Sequence, residues 1–485
     1  MKVLVMGLGL NGGGYEAALY FYKRGATLTV TDLKDEAALA PTIEKLDAAC
    51  REIKAAGAIR YVLGRHELDD FKAADLTIKN PGARPDSPFL QAAKKIETDI
   101  SVFLAACPAR IFAVTGSKGK STTSAALHWI LQKIREEGAP AFPGRAYLGG
   151  NIAISPLSFL DELDEDDDVV LELSSFQLGD LRGRRDSAGR ALLKPKVSVI
   201  TCIMKDHLDR YGTMENYVAD KKVIYAGQDE GDIAVTKDDE WGQVFRGESR
   251  ARQLIHAGSP LEKGISGGWA GGEGPGFARL YRGGGFKGGG ETAELVPARP
   301  LTPGAHQKRN LLAAALGVYA LGADAAAIKN ALKNFAGVEH RLEFFCEWEN
   351  NRFYNDSAAT IPEAAAAAVN ALAGGDRKLV LVAGGTDKDL DYSPLAAASK
   401  KAAAVILLAG TGSDKLAAAL KKEGVVFAGA FDNIEAAAAA ALEATRRFPG
   451  CNVALSPGAT SFGMFQNEFD RGRRWKDAVR RLVGQ

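Results

Sequence analysis

Ile111-Phe112-Ala113-Val114-Thr115-Gly116-Ser117-Lys118-Gly119-Lys120-Ser121-Thr122-Thr123 carries the reading of the fold. A buried-strand run of apolar residues leads straight into a glycine loop, and helix-forming residues follow. Backbone amides of such a loop, at the start of a helix, form a nest for phosphate oxygens. Lys120 stands where it would reach the terminal phosphates, and the Ser121 hydroxyl where it would meet magnesium. The spacing is shorter than GxxxxGK[ST]: Gly116 lies three positions before Gly119, and Thr115 stands at the fourth. With the strand before it and the helix after it, the segment reads as a triphosphate loop. A chance turn carrying surface lysines is the competing reading.

Upstream, Gly7-Leu8-Gly9-Leu10-Asn11-Gly12 fits GxGxxG after a short apolar run at 2–6, and Asp32 closes a second strand at 27–31. That pattern favours a dinucleotide-type fold with Asp32 bonding a ribose; the alternative is glycine needed only for tight strand–helix packing. A second, triphosphate-type loop in one chain weakens a dehydrogenase reading, and the first domain instead suits a nucleotide diphosphate carried on a substrate. Downstream, 169–173 and 197–202 read as further strands of the central unit. The last third repeats the rhythm at 379–383, 405–408, 425–427 and 452–455, with Ala-rich helices between, and no phosphate loop follows its first strand. It is expected to contribute residues across a cleft. The fold class is therefore α/β in three domains: a Rossmann-like domain over 1–108, a central P-loop ATPase domain with a parallel sheet over 109–337, and a Rossmann-like domain over 338–485.

Two low-complexity stretches interrupt this order. Residues 161–168, seven of them acidic, read as a solvated loop, and the glycine-rich 264–290 reads as a long hairpin loop or mobile insertion.

Composition narrows the function. The 485 residues are 46% hydrophobic and 25% charged, and 61 Lys plus Arg against 60 Asp plus Glu leave a net charge of +1. That balance gives no footprint for nucleic acid or an anionic membrane, and no apolar run approaches the ~20 residues of a membrane helix. The apolar start breaks at Gly7, Gly9 and Gly12, unlike a signal peptide. The cysteines, Cys50, Cys107, Cys202, Cys346 and Cys451, are scattered and odd in number, which suits a reducing cytoplasm.

Two further motifs follow strands. In LELSSFQ, Glu172 places a carboxylate at a strand end; in KDHLDR, His207 sits among acids. Each alone is as well explained by solvent exposure. Beside a phosphate loop, the two together suit magnesium, which takes few protein ligands alongside phosphates and water.

These blocks, in order with VTGSKGKSTT (114–123), KDHLDRYGTMENYVADK (205–221), His306 to Asn310, VEHRLEF (338–344), NDSAAT (355–360), AGGTDKDLDY (383–392) and LSPGATSFGMF (455–465), resemble the Mur ligase family, and within it the glutamate-adding branch. The resemblance runs from residue 7 to residue 472 and spares the glycine-rich insertion. It implies a cytoplasmic, monomeric ATP-dependent ligase that joins D-glutamate to UDP-N-acetylmuramoyl-L-alanine through an acyl phosphate, with ATP, two magnesium ions and a carbamylated lysine. Nothing in it implies a nucleic-acid or membrane partner.

Carried over by position, Gly116, Ser117, Lys118, Gly119, Lys120, Ser121 and Thr122 would cradle ATP, with Asn310 at adenine and Arg341 and Asp356 reaching in from the third domain. Ser121, Glu172, His207 and Lys221 would serve magnesium, Lys221 as the carbamate; Lys222 leaves that register open by one. Leu10, Asn11, Asp32, Lys34 and Asn80 would lie along UDP, and Asn151 near the muramoyl part. Thr360, Lys388, Ser461 and Phe469 would form the glutamate pocket, with Phe465 the alternative to Phe469. Two departures stand out: Ala358 where many relatives have lysine, and Gln307 where an Asn often follows the family His. An oxidoreductase built on the first glycine loop, or a nucleotide switch, remains as a competing class; the first leaves Lys120, Glu172 and His207 without a task.

Overall fold

The computed structural model describes the chain except residues 11, 54–57, 153, 273, 283, 284, 287, 288 and 485. It divides into two compact units, one of Met1–Ala270, Gly276–Leu295 and Asn310–Ala331, the other of Gly271–Pro275, Val296–Arg309 and Leu332–Gln485.

The first unit opens with β1 (Lys2–Met6), β2 (Thr27–Asp32), β3 (Ile59–Leu63), β4 (Leu76–Lys79) and β5 (Ile96–Glu97), a parallel sheet in the order β3-β2-β1-β4-β5. Strand order reverses about β1, so the crevice at its carboxyl end is where the Gly7–Gly12 loop emerges. Then come β6 (Arg110–Thr115), β7 (Ala146–Gly150), β8 (Asp168–Glu172), β9 (Val197–Ile200), β10 (Ile233–Lys237), β11 (Arg252–Ala257), β12 (Gly267–Trp269), β13 (Gly276–Tyr281) and β14 (Gly289–Val296). They pair as β14-β13-β12-β11-β10-β9-β6-β8-β7. β6 lies between β8 and β9, parallel to both, so the triphosphate-type loop also leaves a switch point.

In the second unit, β15 (Glu343–Trp348), β16 (Asn351–Asn355), β17 (Leu379–Ala383), β18 (Ala404–Leu408), β19 (Ala428–Phe431) and β20 (Asn452–Leu455) pair as β15-β16-β20-β17-β18-β19, antiparallel only between β15 and β16. The continuous apolar run at 379–383 splits by the two-residue period of a strand. Leu379, Leu381 and Ala383 enter one core with helix Pro362–Leu372, while Val380 and Val382 enter another with Trp475 and helix Ile434–Arg447. Each fully buried aliphatic side chain of this kind contributes about 1.5–3 kcal/mol.

Three expectations are corrected. The glycine-rich stretch supplies strands, not only a loop: β12 and β13 are antiparallel neighbours that extend the central sheet. Glycine serves close approach there, because a Cβ on Gly268 would run into the Phe277 carbonyl of β13 and the side chain of Leu312 in helix Ala305–Ala320. In the acidic run, Asp167 and Asp168 are buried, since each has a cation: Arg110 Nε and Nη2 grip Asp168 at 2.6 and 3.0 Å, and Arg145 Nη2 reaches Asp167 at 3.2 Å. Finally, the strand expected at 425–427 begins at Ala428; Val425 and Phe427 pack onto the core in irregular backbone, with Val425 N bonded to Leu420 O.

Candidate active site

The helix Lys120–Glu136 begins at Gly119, with φ 88° and no side chain of its own to cap the first-turn amides. The loop before it is fixed from outside. Ser117 Oγ bonds Tyr217 OH at 2.8 Å and accepts from Met204 N at 2.9 Å, and Thr201 Oγ1 donates to Lys118 O at 2.5 Å. Asn310 stands against Gly119 so closely that a Cβ there would meet its side chain, and Thr123 Oγ1 donates to the Asn310 carbonyl. Lys120 folds back over the loop, its Nζ 2.9 Å from Gly116 O and 3.3 Å from Ser117 O. Burial lowers its pKa, against the pull of Glu172 and Asp206. Ser121 and Thr122 are half-buried in the first turn, and Lys118 is exposed with its ammonium 3.8 Å from Asp206.

Lys221 enters the same place from helix Met214–Lys221. It is 1% exposed, donates to Gly116 O at 3.0 Å and to Thr115 Oγ1 at 3.3 Å, and lies over the Tyr217 ring. Burial, with the neighbouring Lys120 charge, pushes its pKa down to about 7. Lys222, one position on, turns outward to Glu248 at 2.6 Å.

Glu172, at the end of β8, is 1% exposed. Its Oε1 accepts from Asn151 Nδ2 at 2.9 Å, and its Oε2 has no hydrogen-bond partner among the described residues. A buried carboxylate oxygen left open beside a phosphate loop suits a cation. Asn151, expected along the substrate, is thus also the group that orients this carboxylate. His207 takes the left-handed φ of 51° that few side chains adopt, at the start of the short helix Leu208–Tyr211, and its ring lies 4.9 Å from that of Phe176. Its Nε2 is 3.9 Å from Asp206 Oδ1. No hydrogen bond joins His207 to Glu172 among the described residues.

At the first glycine loop, Asp32 is committed to backbone: Oδ2 accepts from Gly9 N and Oδ1 from Lys34 N, both at 3.0 Å. Leu10, Lys34 and Asn80 are exposed around it, and Asn80 Oδ1 holds Gly82 N at 2.9 Å. Asn11 lies outside the described residues.

In the second unit, Asp356 Oδ1 accepts from Leu342 N at 3.0 Å and Oδ2 from Ser456 Oγ at 2.6 Å. Burial raises its pKa to about 7. The bond to Leu342 fixes the turn bearing the exposed Arg341. Ser461 and Phe465 line a cavity of about 280 Å³ with Gly385, Thr386 and Arg471. Phe469 is not on that wall; its ring packs 5.4 Å from His340. Lys388 is exposed and Thr360 half-buried, neither lining the cavity. Sequence reading missed Arg471, fully buried, which donates to Ser357 Oγ, Ser357 O and Ala459 O and so ties the NDSAAT and LSPGATS blocks together. Its position just after LSPGATSFGMF, before Gly472, was the available signal. Glu339, His340 and Glu343 form the cluster of metal-ligating type among the described residues, but Lys476 already bonds both carboxylates, at 2.8 and 2.9 Å.

An uncapped loop between a central parallel strand and a helix, with two lysines and an open carboxylate beside it, has the build that phosphate binding asks for. Family models agree in finer detail: a Mur ligase MurD-like N-terminal domain over residues 1–102, a Mur ligase middle domain over 114–265 and a Mur ligase glutamate ligase domain over 340–451. The UDP-N-acetylmuramoylalanine–D-glutamate ligase of Treponema pallidum (strain Nichols) is 37% identical over 99% of this chain and 97% of its own length. The protein of that name from Borreliella afzelii (strain PKo) is 38% identical, again over 99% and 97%. The crystal structure of a UDP-N-acetylmuramate–alanine ligase from Thermotoga maritima shares the fold, with a TM-score of 0.55 at 21% identity and full coverage of both chains. The chain belongs to the Mur ligase family.

Proposed function

We propose that this protein is the ATP-dependent ligase that joins D-glutamate to UDP-N-acetylmuramoyl-L-alanine, a step of peptidoglycan precursor synthesis, acting as a cytoplasmic monomer. The observation that carries the reading is the end-to-end match to D-glutamate ligases over 99% of the chain, with a phosphate loop where such a reaction needs one.

The chemistry begins with transfer of the γ-phosphoryl group of ATP to the alanyl carboxylate. A carboxylate oxygen bonds phosphorus, the bond to the β-phosphate oxygen breaks, and ADP leaves. The glutamate amine then attacks the acyl carbon, the tetrahedral adduct expels inorganic phosphate, and the ammonium proton is lost. The obstacle is negative charge gathered where carboxylate meets phosphate, and preorganised positive charge is the remedy. The loop 116–122 holds the phosphates through backbone amides, Lys120 follows the transferred group, and Asn310 contacts adenine. His207 orients the reacting carboxylate. Arg341 and Asp356 are assigned to ATP as well. Leu10, Asn11, Asp32, Lys34 and Asn80 take the UDP moiety and Asn151 the muramoyl part. Thr360, Lys388, Ser461 and Phe469, with Phe465 beside Ser461, receive D-glutamate, Lys388 supplying the cation for a carboxylate.

Two magnesium ions would supply charge that offsets the phosphate and carboxylate oxygens. The open Oε2 of Glu172 fits that role, with Ser121, His207 and Lys221 as the other holders. A lysine with a pKa near 7 carries a substantial neutral fraction at neutral pH, and its free amine can add carbon dioxide to give a carbamate and a proton. The carbamate turns a cation crowded against Lys120 into an anion.

Phosphate release with UDP-N-acetylmuramoyl-L-alanine, ATP, magnesium and either glutamate enantiomer tests the reading. Release that requires the muramoyl substrate and D-glutamate supports it; release independent of both contradicts it.

A further inference from the structure

His207 sits at the head of a helix only four residues long, which has little stability of its own, so its place depends on tertiary contacts. One of these is the ring of Phe176, which a second residue of the same short helix also holds. Arg210 Cζ lies 3.9 Å from the centroid of the Phe176 ring, the ring that also packs against His207. Beyond Phe176, the guanidinium reaches the first sheet's loop: Nη1 donates to Gly82 O at 3.2 Å and Nη2 to Ala83 O at 3.5 Å. That loop is a turn closed by Ala83 N on Asn80 O and by Gly82 N on Asn80 Oδ1, so its outward carbonyls face Arg210 while Asn80 forms its base.

We propose that Arg210 is a positioning residue for the UDP-linked substrate: by stacking on Phe176 and holding the carbonyls of Gly82 and Ala83, it sets the spacing between the Asn80 loop and His207. The inference rests on the functional reading above. Other ion pairs already hold the first sheet to the segment that follows β8. They are the buried Lys79–Asp180 pair, at 2.6 Å with side chains 3% and 12% exposed, and the Arg184–Glu97 pair. What Arg210 adds is orientation at the loop tip. A planar guanidinium is suited to this task, because it stacks with its face while donating with its edge, and an ammonium cannot do both.

The test compares Arg210→Ala and Arg210→Lys with the unaltered protein in steady-state kinetics, varying UDP-N-acetylmuramoyl-L-alanine and ATP separately. Arg210→Ala is expected to lower kcat/KM for the UDP substrate at least about tenfold. KM for ATP should stay within about twofold, and the thermal midpoint within about 3 °C. Arg210→Lys is expected to fall between the two. Unchanged kinetics in Arg210→Ala, parallel rises of both KM values, or a variant that does not fold would overturn the inference, the last by making Arg210 a structural clamp. Should the unaltered protein itself form no amide, it is the functional reading that fails.

Discussion

Lys221 Nζ lies 3.0 Å from the Gly116 carbonyl, inside the loop that leads to Lys120, while the adjacent Lys222 is bonded to Glu248 on the surface. Two neighbouring lysines therefore meet opposite electrostatic fates. One is desolvated beside a second cation and lowered to about 7; the other keeps a carboxylate partner.

Lys221→Ala should remove most turnover, and short carboxylic acids should restore part of it by standing in for the carbamate. Lys222→Ala should leave the rate near that of the unaltered protein. The comparison is read in one phosphate-release assay, and a fully active Lys221→Ala would end the carbamate assignment.

Lys120→Ala should lower turnover at least ~10²-fold, since it removes a principal charge partner of the transferred phosphoryl group. Single-turnover formation of ADP isolates this effect from product release, and an unaltered rate would contradict the role.

Glu172→Gln keeps a side chain that can still bond Asn151 but removes the charge from the open oxygen. The magnesium concentration for half-maximal activity should rise about tenfold or more, as for loss of one hard-oxygen ligand. A magnesium titration of both proteins measures it; superimposable curves would place the ion elsewhere.

Asp356 gives a pH signature with a definite sign. Its carboxyl is raised from 3.8 to about 7 by burial, so between those values the folded chain binds a proton the unfolded chain lacks. Stability from this group is complete below pH 3.8 and is lost as pH rises toward 7. Denaturant titrations from pH 4 to 7 should show that decline shrinking in Asp356→Asn. Equal slopes in both proteins would show that Asp356 titrates normally.

The loop at 116–123 was legible because phosphate binding needs backbone amides in a fixed order, and glycine spacing between a strand and a helix writes that order into the chain. The strand at 379–383 was legible for a comparable reason, as only a doubly covered parallel strand calls for an unbroken apolar run. What one helix position decides was not legible. Lys221 and Lys222 differ by about 100° around a helix axis, and only the packed neighbours show which points inward. Ser461 and Phe465 share a cavity wall while Phe469 turns to His340, for the same reason. Charge runs hide their partners too: Asp167 and Asp168 looked solvated until Arg145 and Arg110, far along the chain, were brought to them.

In the proposed reaction a triphosphate held by residues 116–122 activates the alanyl carboxylate. The most direct test supplies UDP-N-acetylmuramoyl-L-alanine labelled with ¹⁸O in that carboxylate, together with ATP, magnesium and D-glutamate, and analyses the released phosphate by mass spectrometry. The account predicts one ¹⁸O carried into phosphate for each amide formed from doubly labelled carboxylate; amide formation with unlabelled phosphate would contradict it.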